Sequence, residues 1–363
     1  MLDIKIEQAC EKLIGMYAEI ETELLKLIAK HFNVNEEFIN SDVFRFRKLS
    51  EMGVLNEEVI EYLAKATNRT KDEILKALEQ IGIDTVDISK LTGLYKDGKF
   101  NINPTIFKNN LTINSMIQTS YIELEKVFTQ LSPKVIQATR SAYINVVDKA
   151  YLKVVMGAES YQTAIKQALT DLGDKGIKIL AYQTVDEYGN VVGIRNYDVV
   201  ATVRRETLNS ARHLSNNINE QIIKDLDVEY VYLSEHYDCR PTHFPWQGTV
   251  IKYSDLESVT DYGSITGLGG INCRHYFEPY FGENKETKKI SQEEADRMYD
   301  LKQKQRQMER RIRAWKHKEQ IYKEANMKDE QKIAKKKIIQ WSNAIDSYCN
   351  TYKLQREYAR ERI

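Results

Sequence analysis

Apolar residues near the start of the chain recur at three- and four-residue spacing: Leu13, Ile14, Tyr17, Ile20, Leu24, Leu25 and Ile28. That period places them on one helix face, predicted over 5–32 and stopped by Asn33. From about 35 to 83 the pattern stays helical, and its punctuation predicts several short helices. Asn56 followed by two glutamates reads as an N-cap, Thr70 with Glu73 as a capping box, and Gly82 as a stop. Residues 84–110 lose their periodicity to Gly, Asn and Pro and read as a linker or wrapping segment. Helical spacing returns over 111–150, where Ser132-Pro133 is expected to kink or divide the helix. A short helix follows from the cap Ser160 to Leu172, closed by Gly173.

The period then changes to two. Residues 178–197 alternate around Tyr188-Gly189-Asn190, a hairpin signal. Helical spacing resumes from Asp198 to Asp225, with Val199, Val203, Leu208, Ala211, Ile218 and Ile222 on one face. β-branched and aromatic content predicts strands at 228–233 and 249–253 and a last one beginning at Arg274. From Ser291 onward Gly and Pro almost vanish. Ser291 with Glu294 forms a capping box. The stripe Met298, Leu301, Met308, Ile312 and Trp315 is too narrow to enclose a core of its own. A break near Asn326 would return Ile333, Ile338, Ile339, Trp341, Ile345 and Tyr348 against it. The fold class expected is α+β, predominantly α-helical. It comprises an N-terminal helical region (1–83), the linker (84–110), long connecting helices (111–159), a compact α+β module with a small antiparallel sheet (160–284), and a basic helical C-terminal arm (285–363).

Charge refines this picture. Over 363 residues, 53 basic and 53 acidic side chains cancel, which argues against a globally basic nucleic-acid binder. The cancellation hides a split: residues 285–363 hold 22 basic and 13 acidic residues, so the body is acidic and the tail basic. Arg310, Arg311, Arg313, Lys335, Lys336 and Lys337 are expected to face outward from the tail, toward DNA phosphates or an acidic neighbour. The hydrophobic share of 42% supports a buried core. No apolar run is long enough to cross a membrane, and the charged N-terminus does not read as a signal peptide. Cys10, Cys239, Cys273 and Cys349 are too scattered for a disulfide framework, which fits synthesis in a reducing cytoplasm.

Candidate chemistry concentrates in two segments, His236 to Gly248 and Gly263 to His275. Cys239-x3-His243 and Cys273-x-His275 supply two sulfur–nitrogen pairs, the donor set of a tetrahedral zinc site. The same residues admit a thiol enzyme, with a thiolate activated by His236, His243 or His275. They also admit a purely structural reading, in which the side chains brace two turns by hydrogen bonding. Gly263 to Gly270 has the glycines of a phosphate cradle but lacks its lysine and helix start. Arg240 and Arg274 can tie several loop carbonyls together, and Trp246 is expected to anchor the core.

The order Cys239-Arg240-Pro241-x-His243-x-x-Trp246-Gln247-Gly248, then Gly267-Leu268-x-Gly270-x-Asn272-Cys273-Arg274-His275, resembles the phage minor capsid protein family of tailed phages, relatives of the Mu F-like head morphogenesis proteins. The helix around Val203-Arg204-Arg205 is similar to the one preceding this module in that family. The resemblance implies a structural, non-catalytic role in the virion. It implies a position inside the head near the portal vertex, with portal protein and other capsid or scaffolding proteins as neighbours; the charge of the C-terminal arm adds packaged DNA to the expected partners, and the lack of a long apolar run leaves no membrane among them. It carries over no catalytic residue and no obligatory cofactor, and it leaves zinc open. Two alternatives stand beside it: a metal- or thiol-dependent enzyme using the Cys/His cluster, and a DNA-binding packaging accessory acting through the tail.

Overall fold

The computed structural model describes residues 2–36, 40–108, 110–185, 191–270, 272–283 and 291–363, with the side chains of 180–196 left aside. Long helices dominate: α1 (Leu2–Lys30), α2 (Ser41–Val86), α4 (Leu111–Val155) and α6 (Val199–Asp225), with the shorter α3 (Ile88–Lys96) and α5 (Tyr161–Lys175) between them. The strands β1 (Lys178–Val185) and β2 (Val191–Asp198) pair antiparallel; the predicted turn at Tyr188-Gly189-Asn190 lies outside the described residues. A second sheet, in the order β4-β3-β5, joins β3 (Tyr230–Leu233), β4 (Val250–Lys252) and β5 (Phe277–Pro279), all antiparallel. The short α7 (Leu256–Thr260) precedes the glycine-rich loop, and α8 (Gln292–Glu324) and α9 (Lys328–Tyr352) close the chain. No helix among the described residues is long and apolar enough to cross a membrane.

The several short helices expected over 35–83 are one helix of 46 residues. Asn56 and Gly82 lie in its interior, and Thr70 Oγ1 donates to the Thr67 carbonyl instead of capping a new start. Leu55, Val59, Leu63, Ile74, Leu78 and Ile81 are all buried along it. Packing of that continuous face outweighs local capping signals. Gly82 serves close approach, since a Cβ there would meet Ile117 Cδ1 at 2.8 Å. The linker of 84–110 contains α3, opened by Asp87, whose side chain accepts from Lys90 N–H. Helix α4 runs through Pro133 undivided. Helix α5 starts at Ser160 as expected but ends at Gly176, at φ 62°, and passes through Gly173. The last strand begins at Phe277, three residues later than Arg274.

The chain forms two compact units, each gathered from three stretches. Unit 1 comprises 1–13, 71–127 and 204–304; unit 2 comprises 14–70, 128–203 and 305–363. The blocks 160–284 and 285–363 marked out in the sequence are therefore each shared between units. A change of composition shows where elements change, not which elements pack together.

Within unit 2 the C-terminal helices do not stand free as an arm. Chain reversal occurs at Asn326, at φ 60°. Ile312, Ile345 and Cys349 form a small core with Met308, Trp341 and Leu354 against it. Helix α8 also packs on α5: Lys318 Nζ lies 2.7 Å from Asp174, and the Tyr322 hydroxyl 2.9 Å from that of Thr170. Unit 1 holds the three-stranded sheet, whose core comprises Ile223, Val231, Leu233, Trp246, Leu256, Leu268, Cys273 and Phe277.

Candidate functional site

The sheet of unit 1 brings two loops together. After β3, Ser234 N–H donates to the Tyr276 carbonyl at 2.9 Å, and Leu233 N–H to the Thr249 carbonyl at 2.9 Å. These bonds hold the segment leaving β3 beside both neighbours. The chain then makes a turn of 3-10 helix at Pro241–His243, which follows Arg240 and points His243 inward. Gly248, at φ 67°, turns the chain back into β4, its N–H donating to the Leu233 carbonyl at 3.0 Å. Trp246 fills the space between, its ring centroid 4.8 Å from those of both His243 and His275.

The second loop folds tightly on itself. Leu268 N–H donates to the Thr260 carbonyl at 3.0 Å, and Cys273 N–H to the Gly270 carbonyl at 2.9 Å. A Cβ on Gly267 would meet the backbone of Thr260 and Asp261, and one on Gly270 the backbone of Ser264 and Ile265, so only glycine fits. Asn272 takes the left-handed conformation at φ 58° and delivers Cys273 and His275 to the interior.

His243 Nδ1, Cys273 Sγ and His275 Nδ1 converge there, all within 4.8 Å of one another and all buried. The separations are 3.4 Å between the two nitrogens and 3.8 and 3.7 Å from the sulfur to His243 and His275. Cys239 is buried as well but does not belong to this group; its thiol interacts with Gln247. The two paired motifs thus contribute three convergent donors, not four. All four cysteines of the chain are free thiols.

Burial dominates the electrostatics. It lowers His275 well below the usual imidazole range, lowers His243, and takes His236 down to about 4. All three are neutral at pH 7. Burial also raises the Cys273 thiol and pushes that of Cys239 up to about 11, so both are protonated thiols rather than nucleophilic thiolates. Sequence reasoning missed the charged group beside them. Arg212 lies 2.9 Å from Asp3 and 3.6 Å from Glu7, while Arg274 pairs with Asp238 and approaches Asp3 at 3.9 Å. No local spacing reveals a partner some two hundred residues away.

The predicted contacts of the tail separate into two groups. Arg310, Arg311, Lys335 and Lys336 are exposed, and Lys337 is half-buried with its Nζ 2.9 Å from Gln340 Oε1. Arg313 does not face outward: it is half-buried and donates to the Arg360 carbonyl. Much of the tail's remaining positive charge is used inside unit 2, as in Lys318–Asp174 and Arg356–Glu361.

Residues 1–350 match the family described as Phage minor capsid protein 2. A curated protein named "Structural protein", from Lactococcus phage LL-H, is 26% identical over 303 residues, 75% of this chain and 76% of its own length. Shorter similarities reach phosphoribosylaminoimidazole-succinocarboxamide synthases of Streptococcus agalactiae. That of serotype III (strain NEM316) is 31% identical over 80 residues, and that of serotype V (strain ATCC BAA-611 / 2603 V/R) 36% over 81. Each covers 22% of this chain and 32% of the synthase, so the chain spans about a third of those enzymes. No solved structure matches significantly.

Proposed function

As this chain belongs to the phage minor capsid protein 2 family, we propose that it serves the virion of a tailed phage as a non-catalytic structural component inside the head, at the portal vertex. The match over residues 1–350 supports the structural role, because it spans unit 1 whole and unit 2 up to its last thirteen residues. The site chemistry supports it. The Cys/His cluster presents neutral imidazoles and protonated thiols in a core, with neither a nucleophile nor a base offered to solvent. The similarity to the synthases covers a third of those enzymes and transfers no activity here.

Unit 2 offers a surface for assembly. Val43 and Phe46 near the start of α2, and Leu152, Val155 and Met156 at the end of α4, are exposed. The two helix ends are tied by Arg45–Asp148 at 3.1 Å and by Tyr151 donating to Asp42 at 3.0 Å. A neighbouring subunit docked there would bury this apolar surface. The exposed Arg310, Arg311, Lys335 and Lys336 suit a weak, salt-dependent contact with packaged DNA, secondary to the protein contacts. Cross-linking mass spectrometry on purified particles tests the placement. Cross-links to portal protein are expected, and links to tail proteins alone would overturn it.

A further inference from the structure

The two imidazoles among the three convergent donors of unit 1 are each held in one tautomer by the group behind them. His243 Nε2 lies 2.8 Å from the Thr266 carbonyl oxygen. A carbonyl only accepts, so Nε2 carries the proton and Nδ1 keeps its lone pair. For His275 the control runs through Gln247. Gln247 Oε1 accepts the backbone N–H of His236 at 2.9 Å, which fixes the orientation of the amide. The same oxygen lies 3.2 Å from His275 Nε2. Nε2 of His275 therefore donates, and its Nδ1 also keeps a lone pair. Two lone pairs then face each other across 3.4 Å among buried side chains. The single thiol proton of Cys273 can satisfy only one of them.

We propose that this pocket binds a zinc ion through His243 Nδ1, His275 Nδ1 and Cys273 Sγ, with a solvent molecule as fourth ligand and without Cys239. The separations fit. Zn–N bonds of about 2.0–2.1 Å and a Zn–S bond of about 2.3 Å at tetrahedral angles put nitrogens about 3.3–3.4 Å apart and nitrogen about 3.6 Å from sulfur. The donors stand at 3.4, 3.7 and 3.8 Å before any adjustment. The surroundings fit as well. Imidazoles that ligate a metal through one nitrogen commonly donate the other N–H to a carbonyl or carboxylate, as Thr266 and Gln247 accept here. Binding displaces the thiol proton to solvent, so the ion and its thiolate bring one net positive charge. The nearby Arg212 and Arg274 do not oppose this in full, because Asp3, Glu7 and Asp238 pair with them. Such an ion would fasten the glycine-rich loop to the His236–Gly248 turn, a structural clamp on the sheet of unit 1.

The test uses the full-length chain without a histidine tag, loaded with zinc chloride, dialysed, and measured for metal by mass spectrometry. About one zinc per chain is expected. Replacement by cobalt(II) should give intense visible bands and a sulfur-to-metal charge-transfer band. Cys273→Ser should abolish the charge-transfer band while circular dichroism shows retained helix, and Cys239→Ser should keep it. Wild-type protein with neither bound zinc nor a cobalt spectrum overturns the proposal. Loss of the band in Cys239→Ser, with Cys273→Ser unaffected, overturns the ligand assignment.

Discussion

Replacing Gly173 by alanine sets helix propensity against packing. Gly173 lies inside α5. Alanine is favoured over glycine in a helix interior by about 1 kcal/mol, so propensity alone makes the substitution stabilising. The new Cβ, however, would fall against Lys318 Cγ and within 3.2 and 3.3 Å of Lys318 Cα and N. A side-chain rotation relieves the first contact but not the other two, because the backbone of α8 is the obstacle. Lys318 is also held in place, with Nζ 2.7 Å from Asp174 and 3.8 Å from the Trp315 ring centroid. Overpacking costs about 1–3 kcal/mol, and a backbone obstacle places this case in the upper part of that range. The net expectation is a loss of about 1–2 kcal/mol. At Gly15, inside α1, an added methyl would meet nothing within 4 Å. There the same substitution should gain about 0.5–1 kcal/mol. Urea unfolding of the two variants, followed by circular dichroism, gives the comparison. If Gly173→Ala is as stabilising as Gly15→Ala, α5 does not pack on α8, and the C-terminal helices are not part of unit 2.

Three further outcomes follow from buried groups. Burial, then repulsion from Asp198, raises the Glu21 carboxyl from 4.5 to about 7. The folded chain thus holds a proton that the unfolded chain has released; the stabilisation is complete below about pH 4.5 and is lost as pH rises through about 7. Wild-type stability should fall between pH 5.5 and 8 by on the order of 2 kcal/mol while Glu21→Gln stays flat, and parallel pH profiles would contradict this. Ending the chain at Lys353 removes Leu354 from its cluster and the Gln355, Arg360 and Glu361 carbonyls that accept from Gln305, Arg313 and Lys316. A loss on the order of 3 kcal/mol is expected, since Arg313 would remain half-buried without that acceptor, and an unchanged urea midpoint would count against it. Gly267→Ala forces a methyl into the backbone of Thr260 and Asp261. Thermal melting should shift down by the equivalent of about 3 kcal/mol, and a wild-type melting temperature would show that the loop is looser than described.

Periodicity and local caps were legible where a single element decides its own conformation. The Ser160 cap, the Ser291 box, the reversal at Asn326 and the alternation of 178–197 all have counterparts in the structure. Capping signals misled over 35–83 because Asn56, Thr70 and Gly82 suit helix ends, whereas the buried face running through them requires one helix. The division into units was not legible, because each is built from stretches more than fifty residues apart. At the Cys/His cluster the sequence supplied the residue types but not the selection among them. Cys239 and His243 are close in sequence, yet the turn of 3-10 helix sends only His243 into the group with Cys273 and His275. Gln247 was visible as a motif residue; its role in fixing the His275 tautomer depends on the His236 backbone and appears only in three dimensions. Arg313 was misplaced because a charged residue on a helix reads as solvated until the segment around Arg360 is seen to fold over it.

The structural role in the virion is tested most directly by quantitative mass spectrometry of phage particles purified on a density gradient and treated with protease and nuclease before lysis. The chain is expected inside the protected particles, at a fixed ratio to portal protein and far below the major capsid protein. Its absence from such particles, while it is abundant in the infected-cell lysate, would contradict the structural role.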